Sequence, residues 1–298
     1  MELSQLEAFV AIAEAKGFSK AANKLNLTQP AISRRIRQLE DMLGASLFDR
    51  IATGVVLTEP GESFLPYARR AIASVRDGVD IVRDGLAQAR GAVSCALVGT
   101  LASTGITDAM HAYCRAYPQV ELTLRTASSA VVSTLVLNGE VNLGVRYFDD
   151  PNPDLKRILL GDERVVPVAA GDVGDQTQAS VPLSQLYKKW LSFPLEQHAA
   201  QFNYPVLLRR QVLQAGIEGV EFVDVDSLTA QKRMIEAGFG CGLLPLSSMQ
   251  EELDRGTLRV LDWPQLCTGI PVYLIYRSRA YISPALQCLV TALQTATL

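Results

Sequence analysis

Pro30, Ser33, Arg34 and Arg37 follow one another at spacings that place them on one side of a helix, with Thr28 before it, Gln29 at its exposed leading end and Arg50 a little beyond. At about 100° per residue, Ile32, Ile36, Leu39 and Leu43 line the opposite side. A helix with an apolar back and a front of Gln, Ser and Arg has the chemistry to lie in a DNA major groove. Gln pairs bidentately with adenine and Arg with guanine, while Ser, Thr and the helix N-terminus hold phosphates. On these residues alone an ordinary amphipathic surface helix with a solvated charge run stays open as the alternative.

The flanking residues supply the elements that would position this face. Phe18 to Glu40 reads as two short helices joined by a tight turn. Ser19 is the expected N-cap of the first, Lys20 to Leu25 fill it, and Asn26 tolerates the left-handed conformation of a sharp turn. Thr28 is the expected N-cap of the second, and Pro30 sits in the first turn, where its missing N–H removes no helix bond. Ser4 to Lys16 forms an earlier helix with Leu6, Phe9, Val10 and Ala13 inward, ended by Gly17. After the second helix come a strand at Ser46 to Arg50, a turn at Ala52 to Gly54 and a strand at Val55 to Leu57, the hairpin of a winged helix.

At this point the chain resembles the LysR-type bacterial transcriptional regulators. The likeness is carried by Leu6, Phe9, Ala21, Ala22, Leu25, Gln29, Pro30, Ala31, Ser33, Ile36, Leu39, Glu40, Leu43, Gly44, Leu47, Phe48, Arg50, Leu57, Thr58 and Gly61, at the spacing of that family's N-terminal signature. The tip Ile51-Ala52-Thr53-Gly54 departs from it, because many relatives carry a basic residue there. Weak wing contact with DNA is therefore expected, with Arg50 the better phosphate clamp.

The chain has 298 residues, of which 48% are hydrophobic, enough for more than one core. No apolar run reaches membrane-spanning length and MELSQLEAF lacks the blocks of a signal peptide, so a soluble cytoplasmic protein with no membrane partner is expected. The net charge of −3 does not exclude DNA, because phosphates respond to local charge, here Arg34, Arg35 and Arg37 with Lys20, Lys24 and Arg50 nearby. Cys95, Cys114, Cys241, Cys267 and Cys288 are far apart and lack metal-ligand spacing, and most are expected as buried small hydrophobes.

From Thr58 to about Ala89 the chain reads as one long helix. Apolar residues recur at Phe64, Ala68, Ile72, Val75, Val79, Val82, Leu86 and Ala89 in alternating steps of four and three, the period of a coiled-coil seam. A dimer joined there would set two reading helices about one DNA turn apart, matching a near-palindromic site on double-stranded DNA. Pro66 should bend the first turns.

Beyond Arg90-Gly91 strands and helices alternate. Strands are expected at Val93–Val98, Val120–Thr126, Asn142–Tyr147, Val165–Ala170, Glu221–Val225, Gly242–Pro245 and Val272–Tyr276. Helices are expected at Thr104–Tyr117, Ser129–Asn138, Leu183–Lys189, Val206–Ala215, Leu228–Ala237 and Pro284–Ala296. Such alternation makes a mostly parallel, two-faced α/β sheet. The resemblance implies two Rossmann-like lobes of periplasmic-binding-protein type, joined by crossovers near Leu160–Val166 and Leu266–Val272. The division expected is a winged helix-turn-helix head (1–58), a linker and dimerisation helix (59–90) and an effector domain (91–298). Lobe I would be 91–163 with 268–298, and lobe II 164–267.

Ligands of open α/β sheets sit beyond the carboxyl ends of strands, which marks Thr100 and Ser103, Ser128 and Ser129, Arg146 and Asp226. Hydroxyls at helix starts with one Arg suit a carboxylate or similar anion. The family places its inducer in this cleft, so the resemblance carries over to Thr100, Ser103 and Ser128, and less directly to Arg146, Phe202 and Asn203. Helix capping by the hydroxyls, and an Arg146 pair with Asp149 or Asp150, are the structural alternatives. An organic acid or similar anion is the expected effector, and the resemblance implies a homo-oligomeric dimer of dimers, leaving RNA polymerase open as a further partner. Catalysis is not expected: His111 and His198 are far apart, and no nucleophile elbow, phosphate loop or metal-ligand cluster stands at a strand–helix junction, so no cofactor or metal is assigned. A transport-type solute-binding module and an enzyme with an accessory helical domain are the competing classes.

Overall fold

A computed structural model describes residues 1–51, 54–84, 91–171, 189–192, 209–210, 213–214, 220–225, 227–264 and 267–296. The head opens with α1 (Leu3–Ala15), α2 (Phe18–Lys24) and α3 (Gln29–Leu43). An antiparallel hairpin of β1 (Phe48–Ile51) and β2 (Gly54–Leu57) follows, and then the long helix α4 (Glu59–Asp84). Asn26 takes the left-handed conformation expected of it. Two local expectations change. Gly17, not Ser19, occupies the N-cap of α2, and Lys16 rather than Gly17 turns left-handed to end α1.

The head has its own core. Phe9 packs on Phe48 and on Phe64, with ring centroids 5.3 and 5.5 Å apart, joining α1 to the wing and to the linker helix. Ile32, Ile36 and Leu39 are buried behind α3, whereas Leu43, the fourth member of the expected stripe, is exposed where the helix runs past that core. Glu40 accepts a hydrogen bond from the Leu47 N–H at 2.7 Å, tying α3 to the wing. At Gly61 a Cβ would lie 2.2 Å from the Leu47 carbonyl oxygen, so only glycine lets α4 start this close to the wing.

Nine described strands form one mixed sheet. On one side lie β3 (Gly91–Leu97), β4 (Val120–Thr126) and β5 (Leu143–Tyr147), with β3 parallel to both neighbours. On the other lie β7 (Lys189–Ser192), β8 (Glu221–Asp224) and β9 (Cys241–Pro245), with β7 parallel to both. Two strands bridge these groups: β6 (Leu155–Ala170) and β11 (Thr268–Arg277) run antiparallel from Leu155 opposite Arg277 to Val165 opposite Thr268. The short β10 (Leu258–Val260) pairs with β6.

The sequence expectation of a strand only from Val165 is thus too short. Residues 155–164 have no clean alternation because their strand crosses from one core to another. Lys189, expected to end a helix, begins β7. The first group of strands is covered by α5 (Gly105–Ala116), α6 (Ser129–Leu137) and the last helix α9 (Pro284–Gln294), and the second by α7 (Leu228–Glu236) and α8 (Gln250–Asp254). Each group has its own buried cluster, centred on Val145, Leu274 and Leu289 in the first and on Val166, Leu191 and Ile235 in the second. The helices expected at 183–189 and 206–215 lie almost wholly outside the described residues.

Candidate DNA interface and inter-lobe site

The reading face is built by α3. Thr28 holds the N-cap position with extended backbone, though its hydroxyl makes no capping bond, and Pro30 lies in the first turn. Thr28, Gln29, Pro30, Arg34 and Arg37 are exposed and Ser33 is half-buried, all on the side away from Ile32, Ile36 and Leu39. Among the described residues neither Arg34 nor Arg37 is held by an ion pair, so both charges are free to meet phosphates or base edges. Lys24 is spoken for, with its ammonium 2.7 Å from Glu14. Arg50 lies in β1 opposite Val55, and the wing tip at 52–53 is outside the described residues.

The second constellation gathers at the carboxyl ends of β3, β5 and β9. Thr100, in a 3-10 turn (Gly99–Ser103) after β3, lies 2.7 Å from the Tyr147 hydroxyl at the end of β5. That hydroxyl also donates to Oε2 of Glu163 on the crossover strand β6, and Ser247, just past β9, donates to Oε1 of the same carboxyl. One carboxyl, 1% exposed, therefore ties both strand groups together. Burial pushes the Glu163 carboxyl above its ordinary range, and the bonds from Ser247 and Tyr147 oppose that rise.

The expected effector residues divide around this knot. Thr100 is buried within it, while Ser103 and Ser128 are exposed beside it. Ser129 is buried and its Oγ accepts from the Tyr147 N–H at 3.2 Å. Arg146 turns to the other face of β5, as strand alternation requires, and is 6% exposed. Its guanidinium lies 2.7 Å from Asp150 and 3.0 Å from Ser133 Oγ, the pairing weighed as the structural alternative. Phe202, Asn203 and Asp226 lie outside the described residues. Sequence reasoning missed Tyr147, Glu163 and Ser247. The available signal was slight: Glu163 stands in a short polar break, Gly161-Asp162-Glu163-Arg164, between two apolar runs, and Ser247 is a hydroxyl just past a short strand.

Of the five cysteines, Cys95 and Cys241 are buried, Cys288 is intermediate, and Cys114 and Cys267 are exposed, so fewer are enclosed than expected. Burial pushes the Cys95 thiol up to about 12, which makes it an inert hydrophobe. No group of three or more acid, His or Cys side chains suited to a metal occurs among the described residues.

Residues 3–62 match the family described as "Bacterial regulatory helix-turn-helix protein, lysR family", and residues 86–297 match "LysR substrate binding domain". The chain belongs to the LysR family of transcriptional regulators. It is 30% identical to TfdS, an HTH-type transcriptional regulator of Cupriavidus pinatubonensis, over 277 residues covering 93% of this chain and 92% of that one. Its fold is similar to full-length OxyR from Pseudomonas aeruginosa, with a TM-score of 0.77 at 21% identity, covering 99% of this chain and 95% of that one. It is also similar to full-length CbnR in complex with its target DNA, with a TM-score of 0.62 at 23% identity, covering 99% of each chain. A LysR-type protein is a DNA-binding regulator with an effector-binding domain and is not an enzyme. Among the described residues no helix is long and apolar enough to cross a membrane.

Proposed function

We propose that this regulator reads a near-palindromic promoter site through paired α3 helices and changes its hold on that site when a small organic acid enters the cleft between its lobes. The reading divides the chain as a head (1–58), a linker (59–90) and an effector module (91–298), acting in the cytoplasm as a dimer of dimers. The observation that carries the DNA half is the pair of exposed arginines, Arg34 and Arg37, with no ion pair among the described residues, on a helix whose Ile32, Ile36 and Leu39 are buried in the head core.

For the effector half, support comes from the hydroxyl-rich rim and the knot beneath it. Ser103 and Ser128 are exposed beside helix starts, where free N–H groups favour an anion. Raising the Glu163 carboxyl toward its neutral form lowers the repulsion such an anion would meet. A ligand that fits one lobe arrangement better shifts the population toward it. For dimerisation, Val75, Val79 and Val82 of α4 are exposed at 47%, 42% and 80%, a strip continuing the apolar series whose earlier members Ala68 and Ile72 are buried in the head.

The test is fluorescence-anisotropy titration of the full-length protein with fragments of the source genome at moderate ionic strength, alone and with a panel of mono- and dicarboxylic acids. The expected result is one or a few fragments preferred over competitor DNA, with an affinity moved by at least one acid. Absence of any fragment preference overturns the DNA reading. Preference unmoved by every acid, but moved by amines or sugars, overturns the effector class alone.

A further inference from the structure

The knot between the strand groups is a chain of hydroxyls whose hydrogen-bond direction follows from its proton count. Glu163, Tyr147 and Thr100 are linked in that order, and their exposure rises along it, from 1% and 1% to 8%. Thr100 is thus the outer end, in the same 3-10 turn as the exposed Ser103. Ser128, exposed at the N-cap of α6, makes no capping bond with its hydroxyl and precedes Ser129, which holds the Tyr147 N–H.

A tyrosine hydroxyl has one proton to donate, and an ionised carboxylate only accepts. With Glu163 ionised, Tyr147 gives its proton to Oε2 and Ser247 gives its own to Oε1. Tyr147 then meets Thr100 as an acceptor, so at 2.7 Å the Thr100 proton is spent inward. Thr100 presents only lone pairs to the cleft, and these repel an anion. With Glu163 neutral the order reverses. The proton on Oε2 is donated to the Tyr147 oxygen, Tyr147 donates to Thr100, and the Thr100 proton turns outward, while Oε1 still accepts from Ser247. Tyr147 and Thr100 change direction by rotation about their C–O bonds. No O–H bond breaks, and the one proton gained stays on Glu163.

The surroundings of the carboxyl leave its charge open to such a change. Its neighbours on β6, Asp162 and Arg164, are exposed on the opposite face of the strand. Ile270 of β11 stands opposite it, β5 brings Tyr147, and the turns after β3 and β9 bring Thr100 and Ser247. Arg146 lies on the far face of β5, paired with Asp150. Among the described residues, burial and the two hydroxyl bonds act on its titration, burial the most, and no charged group contributes.

We infer that a ligand carboxylate enters this cleft together with one proton from solvent, which Glu163 takes up so that Thr100 can donate to the ligand. The inference rests on the reading of the cleft as an organic-acid site. Glu163 acts through Tyr147 as a positioning residue and does not touch the ligand. Burial already favours its neutral form, which lowers the cost of the uptake. By linkage, acid affinity is complete below the carboxyl's value in the free protein and weakens as pH rises past it, by up to about tenfold per pH unit.

Calorimetric titration of the full-length protein tests it, with acetate, benzoate, oxalate and fumarate as probes at about pH 6, 7 and 8, where carboxylic acids of this kind are almost fully ionised. The parent protein is expected to bind at least one of them, more weakly at each step up in pH. Enthalpies in two buffers of different ionisation heat should show uptake of up to about one proton. Glu163→Gln, whose amide can donate to Tyr147 in place of the acid proton, should hold its affinity level across the range. Tyr147→Phe breaks the relay but keeps the carboxyl, so its slope should fall below about half the parent's. A parent affinity that does not change with pH overturns the inference and leaves the acid reading intact. A slope kept in full by Tyr147→Phe makes Glu163 a repelling charge and overturns it too, and that variant decides alone if Glu163→Gln does not fold. Absence of binding by all four acids at every pH strikes the acid reading itself, and the inference falls with it.

Discussion

The reading helix and the inter-lobe knot treat charge in opposite ways. On α3, Arg34 and Arg37 stand outside, with no ion pair among the described residues, above a back of Ile32, Ile36 and Leu39. In the effector module the comparable cation, Arg146, is turned inside and answered by Asp150, while the group between the lobes is a buried carboxyl satisfied by two hydroxyls. A duplex is a rigid polyanion that comes to a surface, so a cation already paired would have to lose its partner first. A site buried between two groups of strands has the reverse need: whatever it encloses must be satisfied in place, because an unpaired buried charge is costly.

The sharpest way to separate the two regions is to remove a core that only one of them uses. Phe9→Ala deletes the ring that joins α1, the wing and α4, and should cost the head about 3–5 kcal/mol. Calorimetry should then show the head melting early and the effector-module transition in place. A single shared transition moving as one would erase the distinction between the cores.

Next in size is the unpaired cation itself. Arg34→Ala should cost about 1–3 kcal/mol of specific DNA affinity and relax preference at one base pair, if the guanidinium reads a base. A uniform loss across all sequences, with a shallower salt dependence, would assign it to phosphate instead. Asp at both Val79 and Val82 should weaken the dimer by about tenfold or more, some 1.4 kcal/mol, in sedimentation experiments. An unaltered profile would place the dimer contact elsewhere.

For the knot, the handle is pH. Burial raises the folded-state pKa of Glu163 above its unfolded value, so the folded chain holds that proton more tightly than the unfolded one. Its contribution is complete below the ordinary carboxylate pKa and is lost as pH rises through the raised value. Glu163→Gln removes this loss, so its stability to urea relative to the parent protein should climb as pH rises above the ordinary carboxylate range, by no more than about 1.4 kcal/mol per pH unit. A parallel pair of curves would mean that the carboxyl is ionised in the fold at every pH tested. Smallest of all, Thr100→Val takes one hydroxyl from Tyr147 and should cost about 0.5–1.5 kcal/mol without touching DNA binding.

The head was legible because its elements are close in sequence and its core is made by neighbours. A helix period at Ile32, Ile36 and Leu39 and a left-handed Asn26 each report a local condition, and the structure meets both. The same holds for β4, α5 and α6, whose ends fall within a residue or two of those read from pattern. Leu43 and residues 155–164 broke the pattern for one reason: periodicity says that a face is covered, not where the cover stops or which core it belongs to.

By itself the sequence determined the family, through the resemblance of its first sixty residues, and the winged helix-turn-helix and the alternation of an α/β effector module, through propensity, capping and period over short stretches. Only the tertiary structure decided which groups answer one another: Arg146 to Asp150, Glu163 to a serine 84 residues away, Arg277 to an aspartate 200 residues away. A buried polar group is stable only with a partner, and topology alone selects that partner, by bringing the ends of distant strands and helices to one place.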